Sequence, residues 1–152
     1  MSDAAGRRPI DPEDPQRRAV AVTRKGLHHY VATIRATGAS IEFGRGDGLL
    51  TPVELLLAAI AGCTGYDLDG PATRRSEPKT FEADVDARAL KDDAGAQHLE
   101  DITVTWRLRY PDSDGGRQAQ QMIPRLLRQS HDRFCTVSIT IERGTPITNI
   151  LE

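Results

Sequence analysis

An α+β fold is the expectation from this sequence, and three observations lead to it. Thr51-Pro52-Val53-Glu54 reads as a helix start, and residues 55–61 behind it are apolar on every side of a helix. Residues 81–89 and 102–110 alternate apolar and polar side chains, as strands with one buried face do. Strands before and after these segments, with a second helix between, complete a mixed order rather than a regular βαβ repeat.

The elements follow in chain order. Residues 1–18 carry Pro9, Pro12 and Pro15 among charges with few apolar side chains, so they are expected as a flexible N-terminal tail, leaving 19–152 as a single domain. Val20 and Val22, then Tyr30, Ala32 and Ile34, then Ile41 and Phe43 are spaced as short strands, and Gly26, Gly38 and the stretch Gly44 to Gly48 punctuate them. That glycine stretch reads equally as a lid or as an ordinary connector. The central helix is expected to run through Cys63 to about Asp69, where Gly70-Pro71 stops or kinks it.

Phe81, Ala83, Val85, Ala87 and Ala89 form one face of the next strand, and Ile102, Val104, Trp106, Leu108 and Tyr110 one face of its hairpin partner. A second helix is expected over residues 117–132, bent or restarted at Pro124. Val137, Ile139 and Ile141 then alternate with Ser138, Thr140 and Glu142 as a third sheet strand, which Cys135 would open. A helix apolar all round needs more cover than one small sheet gives. A homodimer with its two central helices packed together is therefore expected.

Composition narrows the function. Twenty Lys and Arg against 22 Asp and Glu leave a net charge of −2, which supplies no broad positive field, so nucleic acid is not an expected partner. The apolar run from Val53 to Cys63 contains Glu54 and is about half the roughly 20 residues of a membrane span, so no membrane association is expected either. The N-terminal residues lack the apolar stretch of a secretory signal, and the reading is a cytoplasmic protein. Two cysteines without CxxC spacing are neither a disulfide framework nor a structural zinc site, and no cofactor or metal is expected.

Cys63 and Cys135 are the candidates for chemistry. Free cysteine is often a small buried hydrophobe, and either residue taken alone reads that way. Taken together, one on the central helix and one just after the second, they fit redox chemistry, in which a sulfenic acid on one needs a nearby thiol to resolve it. A reactive thiolate also needs a cation, because Asp67 follows Cys63 one helical turn later and opposes its ionisation. By residue type Arg24, Arg35 and Arg45 qualify. His131 and Cys135 have an HxxxC spacing with no second pair of ligands near it in sequence. Hydrolytic chemistry by Cys63 with His131 has only the residue types in its favour.

The run Thr51-Pro52-Val53-Glu54-Leu55-Leu56-Leu57-Ala58-Ala59-Ile60-Ala61-Gly62-Cys63 resembles the central-helix motif of the osmotically inducible protein C and organic hydroperoxide resistance (OsmC/Ohr) family. Ser130-His131-Asp132-Arg133-Phe134-Cys135-Thr136-Val137-Ser138 resembles its second-cysteine motif. The resemblance implies an intertwined homodimer that reduces organic hydroperoxides, with Cys63 as peroxidatic and Cys135 as resolving cysteine and a dithiol as reductant. It also implies an arginine beside the thiolate, to which Arg24 is similar in placement, held by a glutamate directly after the motif's proline. Here Val53 occupies that position and Glu54 follows one residue later, where a capping role toward Thr51 competes with a role in the site. This places the chain nearer a Pro-x-Glu-Leu-Leu branch. It keeps open a second reading, a non-catalytic or redox-sensing dimer that binds a small apolar ligand.

Overall fold

The computed structural model of the protein describes residues 10–151, so the first nine residues of the expected tail lie outside the described part. The described residues divide into two compact units, 10–53 with 145–151, and 54–144. The architecture is α+β, as the sequence predicts, with two antiparallel sheets and three helices.

In the first unit β1 (Ala21–Gly26), β2 (His29–Thr33) and β3 (Ser40–Gly44) form an antiparallel meander in sequence order. Tyr30 pairs with Phe43 across β2 and β3, and their rings stack at 5.7 Å between centroids. On the same sheet His29 Nε2 and Lys25 Nζ both meet the Glu42 carboxylate, at 2.8 and 2.7 Å. Arg24 stands on β1 opposite Tyr30.

The second unit is built on α1 (Pro52–Thr73), β4 (Thr80–Lys91), β5 (Gln97–Arg109), α2 (Asp114–Gln129) and α3 (Thr136–Glu142). β4 and β5 pair as the expected hairpin, with Ala83 opposite Trp106 and Val85 opposite Val104. A bulge between Asp86 and Arg88 changes the phase of the alternation, so Ala89, expected on the covered face, is exposed and Leu90 turns inward instead. The hydrophobic core joins α1, α2 and this hairpin: Leu68, Ala72, Ala119, Ile123 and Leu126 are buried, and Phe81, Trp106, Leu108 and Tyr110 pack on them.

The end of α1 and the start of α2 differ from the sequence expectation. α1 continues past Gly70-Pro71 to Thr73, because Leu68 and Ala72 on either side of that pair are fully buried and the packing holds the last turn. α2 starts at Asp114 rather than Arg117, capped by Ser113 Oγ, which accepts from the Gly116 N–H at 3.1 Å. At Gly116, inside this first turn, an added Cβ would stand 1.9 Å from the Pro111 carbonyl oxygen, so only glycine permits this approach. Pro124 sits on the exposed side of α2, where its missing N–H leaves the core contacts intact.

The expected third strand at the C-terminal end is a helix instead, α3, and Cys135 opens a helix rather than a strand. The β-branched alternation is overridden by local capping: the Ser138 N–H donates to Cys135 Sγ, and the helical turn places Val137 and Ile141 on one side. Between α2 and α3, Ser130–Phe134 form a single π-helical turn, closed by the Cys135 N–H donating to the Ser130 carbonyl at 2.8 Å.

Candidate active site

The π turn delivers Cys135 to the flank of α1. Cys135 is fully buried and Cys63 half-buried, and the two thiols stand near enough for each to shift the other's ionisation. Sequence reasoning identifies both cysteines but not what brings them together. Ser130, fully buried, donates through Oγ to Asp67 Oδ2 at 2.7 Å and ties the π turn to the turn of α1 that follows Cys63. Asp67 thus has a structural partner, which its spacing from Cys63 alone does not reveal.

Three further groups converge on Cys135 Sγ. Thr64, next to Cys63 on α1, donates through Oγ1 at 3.5 Å; Ser138 Oγ lies at 3.1 Å and its backbone N–H donates at 3.5 Å. Burial pushes the Cys135 thiol up, but the Ser138 hydroxyl, Thr64, the Ser138 N–H and Cys63 together outweigh it and bring Cys135 below the ordinary thiol value. Cys63 goes the other way: burial raises it, the Val137 backbone N–H opposes, and Cys135 and the Asp67 carboxylate raise it further. Of these influences only the N–H favours a Cys63 thiolate. Within this unit the more acidic thiol is Cys135.

Glu54 occupies the first turn of α1, roughly 13 Å of helix ahead of Cys63 at about 1.5 Å per residue. Arg24, Arg35 and Arg45 all belong to the first unit. His131 is exposed and lies 3.7 Å from Glu142, and among the described residues no group of three or more His, Cys, Asp or Glu side chains is arranged to hold a metal. Beside the Cys135 cradle, a cleft of about 470 Å³ is lined by Ile60, Val104, Trp106, Leu127 and Ile141 together with Thr64 and Ser138. No helix among the described residues is long and apolar enough to cross a membrane.

Among curated proteins no sequence matches the chain. Solved structures do. A hypothetical protein from Aquifex aeolicus VF5 is similar over 86% of this chain and 90% of its own, at 17% identity and a TM-score of 0.65. An OsmC-like protein from Mycoplasma pneumoniae is similar over 84% and 89%, at 16% identity and a TM-score of 0.63. The organic hydroperoxide resistance protein OhrB of Bacillus subtilis is similar over 86% and 95%, at 20% identity and a TM-score of 0.50. At these identities the likeness speaks for the fold. The family described as OsmC-like protein matches residues 44–149, most of the chain and both cysteine segments, and the protein therefore belongs to the OsmC-like family.

Proposed function

We propose that the protein is a cytoplasmic thiol peroxidase that reduces organic hydroperoxides through Cys63 and Cys135, residues 19–152 acting as one domain. The observation that carries this is the meeting of two cysteines far apart in sequence: Thr64, next to Cys63 on α1, donates to Cys135 Sγ at 3.5 Å, and each thiol shifts the other's ionisation. The half-buried Cys63 thiolate attacks the outer oxygen of the hydroperoxide, the O–O bond breaks, and the alkoxide leaves as the alcohol after taking a proton. Cys63 is then a sulfenic acid. The Cys135 thiolate attacks that sulfur, forming the Cys63–Cys135 disulfide and releasing hydroxide, which becomes water. A dithiol restores both thiols, giving two electrons and ending as its own disulfide.

Cys63 needs a cation to ionise. In this reading Arg24 supplies it and Glu54 orients Arg24, in a homodimer whose α1 helices pack on one another. An exposed stripe along α1 supports such packing: Leu56, Ala59, Gly62 and Tyr66 recur at helical spacing, and nothing in the chain lies within 4 Å of a Cβ added at Gly62. The apolar cleft beside Thr64 and Ser138 suits an alkyl group.

One observation favours the second reading. Burial, then Cys135 and Asp67, hold Cys63 above the ordinary thiol value, which favours a non-catalytic, ligand-binding dimer over chemistry that needs a ready thiolate. Thiol oxidation by cumene hydroperoxide and by hydrogen peroxide separates the two, in wild type, Cys63→Ser and Cys135→Ser. Fast oxidation selective for the organic peroxide, lost in Cys63→Ser, supports the peroxidase. Oxidation no faster than that of a free thiol removes it.

A further inference from the structure

The environments of the two sulfurs differ in a way that bears on the return half of the cycle. Cys63 is half-buried and can be reached by a second molecule, whereas Cys135 is fully buried. Thr64 Oγ1, Ser138 Oγ and the Ser138 N–H converge on Cys135 Sγ at 3.5, 3.1 and 3.5 Å. When Cys135 is a thiol it donates to Ser138 Oγ; when it is a thiolate the hydroxyl rotates and donates in return, since a serine hydroxyl serves both roles. The cradle is therefore ready for negative charge on Cys135. Thiol–disulfide exchange requires one accessible sulfur to attack and one sulfur able to leave as an anion.

We propose that a dithiol reductant attacks the Cys63 sulfur of the Cys63–Cys135 disulfide and expels Cys135 as a thiolate held by Thr64 and Ser138, which makes these two hydroxyl residues determinants of reductive exchange. This rests on the reading of Cys63 and Cys135 as a redox couple, without depending on which oxidant closes it. The reductant's thiolate forms a bond to Cys63 Sγ, the protein disulfide breaks, and the electron pair goes to Cys135 Sγ. The reductant's second thiolate then attacks its own sulfur in the mixed disulfide and expels the Cys63 thiolate. The reductant ends as a cyclic disulfide and both protein thiols regain protons from solvent. The Thr64 and Ser138 contacts, which favour charge on Cys135 Sγ, make it the better leaving group of the two. An attack on Cys135 would require entry to a fully buried sulfur and departure of Cys63, which lies beside the Asp67 carboxylate.

The test closes the disulfide with one equivalent of diamide, so that no peroxide is involved, and follows single-turnover reduction by dithiothreitol at neutral pH. Glutathione with an acid quench traps the mixed disulfide for peptide mapping in the unmutated protein. The expected result is glutathione on Cys63. Reduction should slow on the order of threefold in each of Thr64→Val and Ser138→Ala, and Thr64→Ser should restore the rate. Glutathione on Cys135, equal rates in all variants, or failure of diamide to join Cys63 to Cys135 would each overturn the proposal. If the protein proves inert to organic peroxide while glutathione maps to Cys63 and the hydroxyl variants slow reduction, the exchange polarity stands and the peroxidase reading falls.

Discussion

Ser130 Oγ donates to Asp67 Oδ2 at 2.7 Å, and the Ser130 carbonyl accepts from the Cys135 N–H at 2.8 Å, so one fully buried serine links α1 to the backbone of the second cysteine. A hydrogen bond to a charged acceptor is worth about 1.5–3 kcal/mol, and its loss leaves a half-buried carboxylate poorly solvated. Ser130→Ala is accordingly expected to lower unfolding stability by about 1–3 kcal/mol in urea titrations. It should also slow diamide-driven closure of the Cys63–Cys135 disulfide, because the π turn loses its tie to α1. Asp67→Asn keeps an acceptor for Ser130 and removes the charge beside Cys63, so it should retain most of the stability while easing ionisation of Cys63. Equal stability of Ser130→Ala and wild type would show that the link holds nothing in place.

The thiol pair should titrate in two steps on opposite sides of the ordinary thiol value of 9.0, because the neighbours of Cys135 lower it and burial raises Cys63. Thiolate absorbance in the ultraviolet reads both steps, and Ser138→Ala should move the first one upward. The linked stability has opposite signs at the two sites. Cys135, depressed in the fold, stabilises above the unfolded thiol value and loses that contribution as pH falls through its folded value. Cys63, raised in the fold, stabilises below the unfolded value and loses that contribution as pH rises through its folded value. Stability should therefore rise across the alkaline range in Cys63→Ser and fall in Cys135→Ser, as measured by urea unfolding at stepped pH.

Much of this was legible in the sequence wherever periodicity and burial agree. β4 and β5 appear as alternation because one face packs on α1 and the other meets water, with Arg107 paired to Glu82 and Asp84 on that outer face. α3 was not legible. Val137, Ile139 and Ile141 have the period and branching of a strand, and a helix forms there because Cys135 caps it and the π turn fixes where it starts. The two cysteines could be picked out by type, but Thr64, Ser130 and Ser138 could not: a hydroxyl on a helix carries no signal until the fold brings a sulfur or a carboxylate to it. The bulge that exposes Ala89 is equally silent, since one extra residue in β5 leaves no compositional mark.

Tyr110 offers a test of the core rather than the site. Its ring packs on the buried cluster of Leu68, Ile123 and Leu126, while its hydroxyl is buried without a hydrogen-bond partner among the described residues. Burial, and the Asp69 charge after it, hold the phenol above its ordinary value, so it stays neutral and gains nothing by ionising. An unsatisfied buried polar group costs about 1–3 kcal/mol. Tyr110→Phe keeps the ring and removes the unpaired hydroxyl, and should match or exceed the wild-type midpoint in urea. A loss of more than about 1 kcal/mol would reveal a partner for the hydroxyl.

The stripe Leu56, Ala59, Gly62 and Tyr66 on α1 allows the proposed dimer to be separated from an ordinary surface, because two effects at Gly62 have opposite signs. On an isolated helix, alanine in place of an interior glycine stabilises by about 1 kcal/mol, and here the added Cβ meets nothing in its own chain. In a seam where two α1 helices approach closely, the same methyl group holds the backbones apart. Gly62→Ala should therefore weaken association in light scattering after gel filtration while leaving a folded chain. Tyr66, 87% exposed on the same stripe, should be buried in the seam, and Tyr66→Glu would force a carboxylate into it. Since an unpaired buried charge costs several kcal/mol, that variant should weaken the dimer on the order of a hundredfold or more. Gly62→Ala and Tyr66→Glu both running at the wild-type mass, with Gly62→Ala more stable, would mark the stripe as plain surface and remove the α1 seam from the proposed dimer.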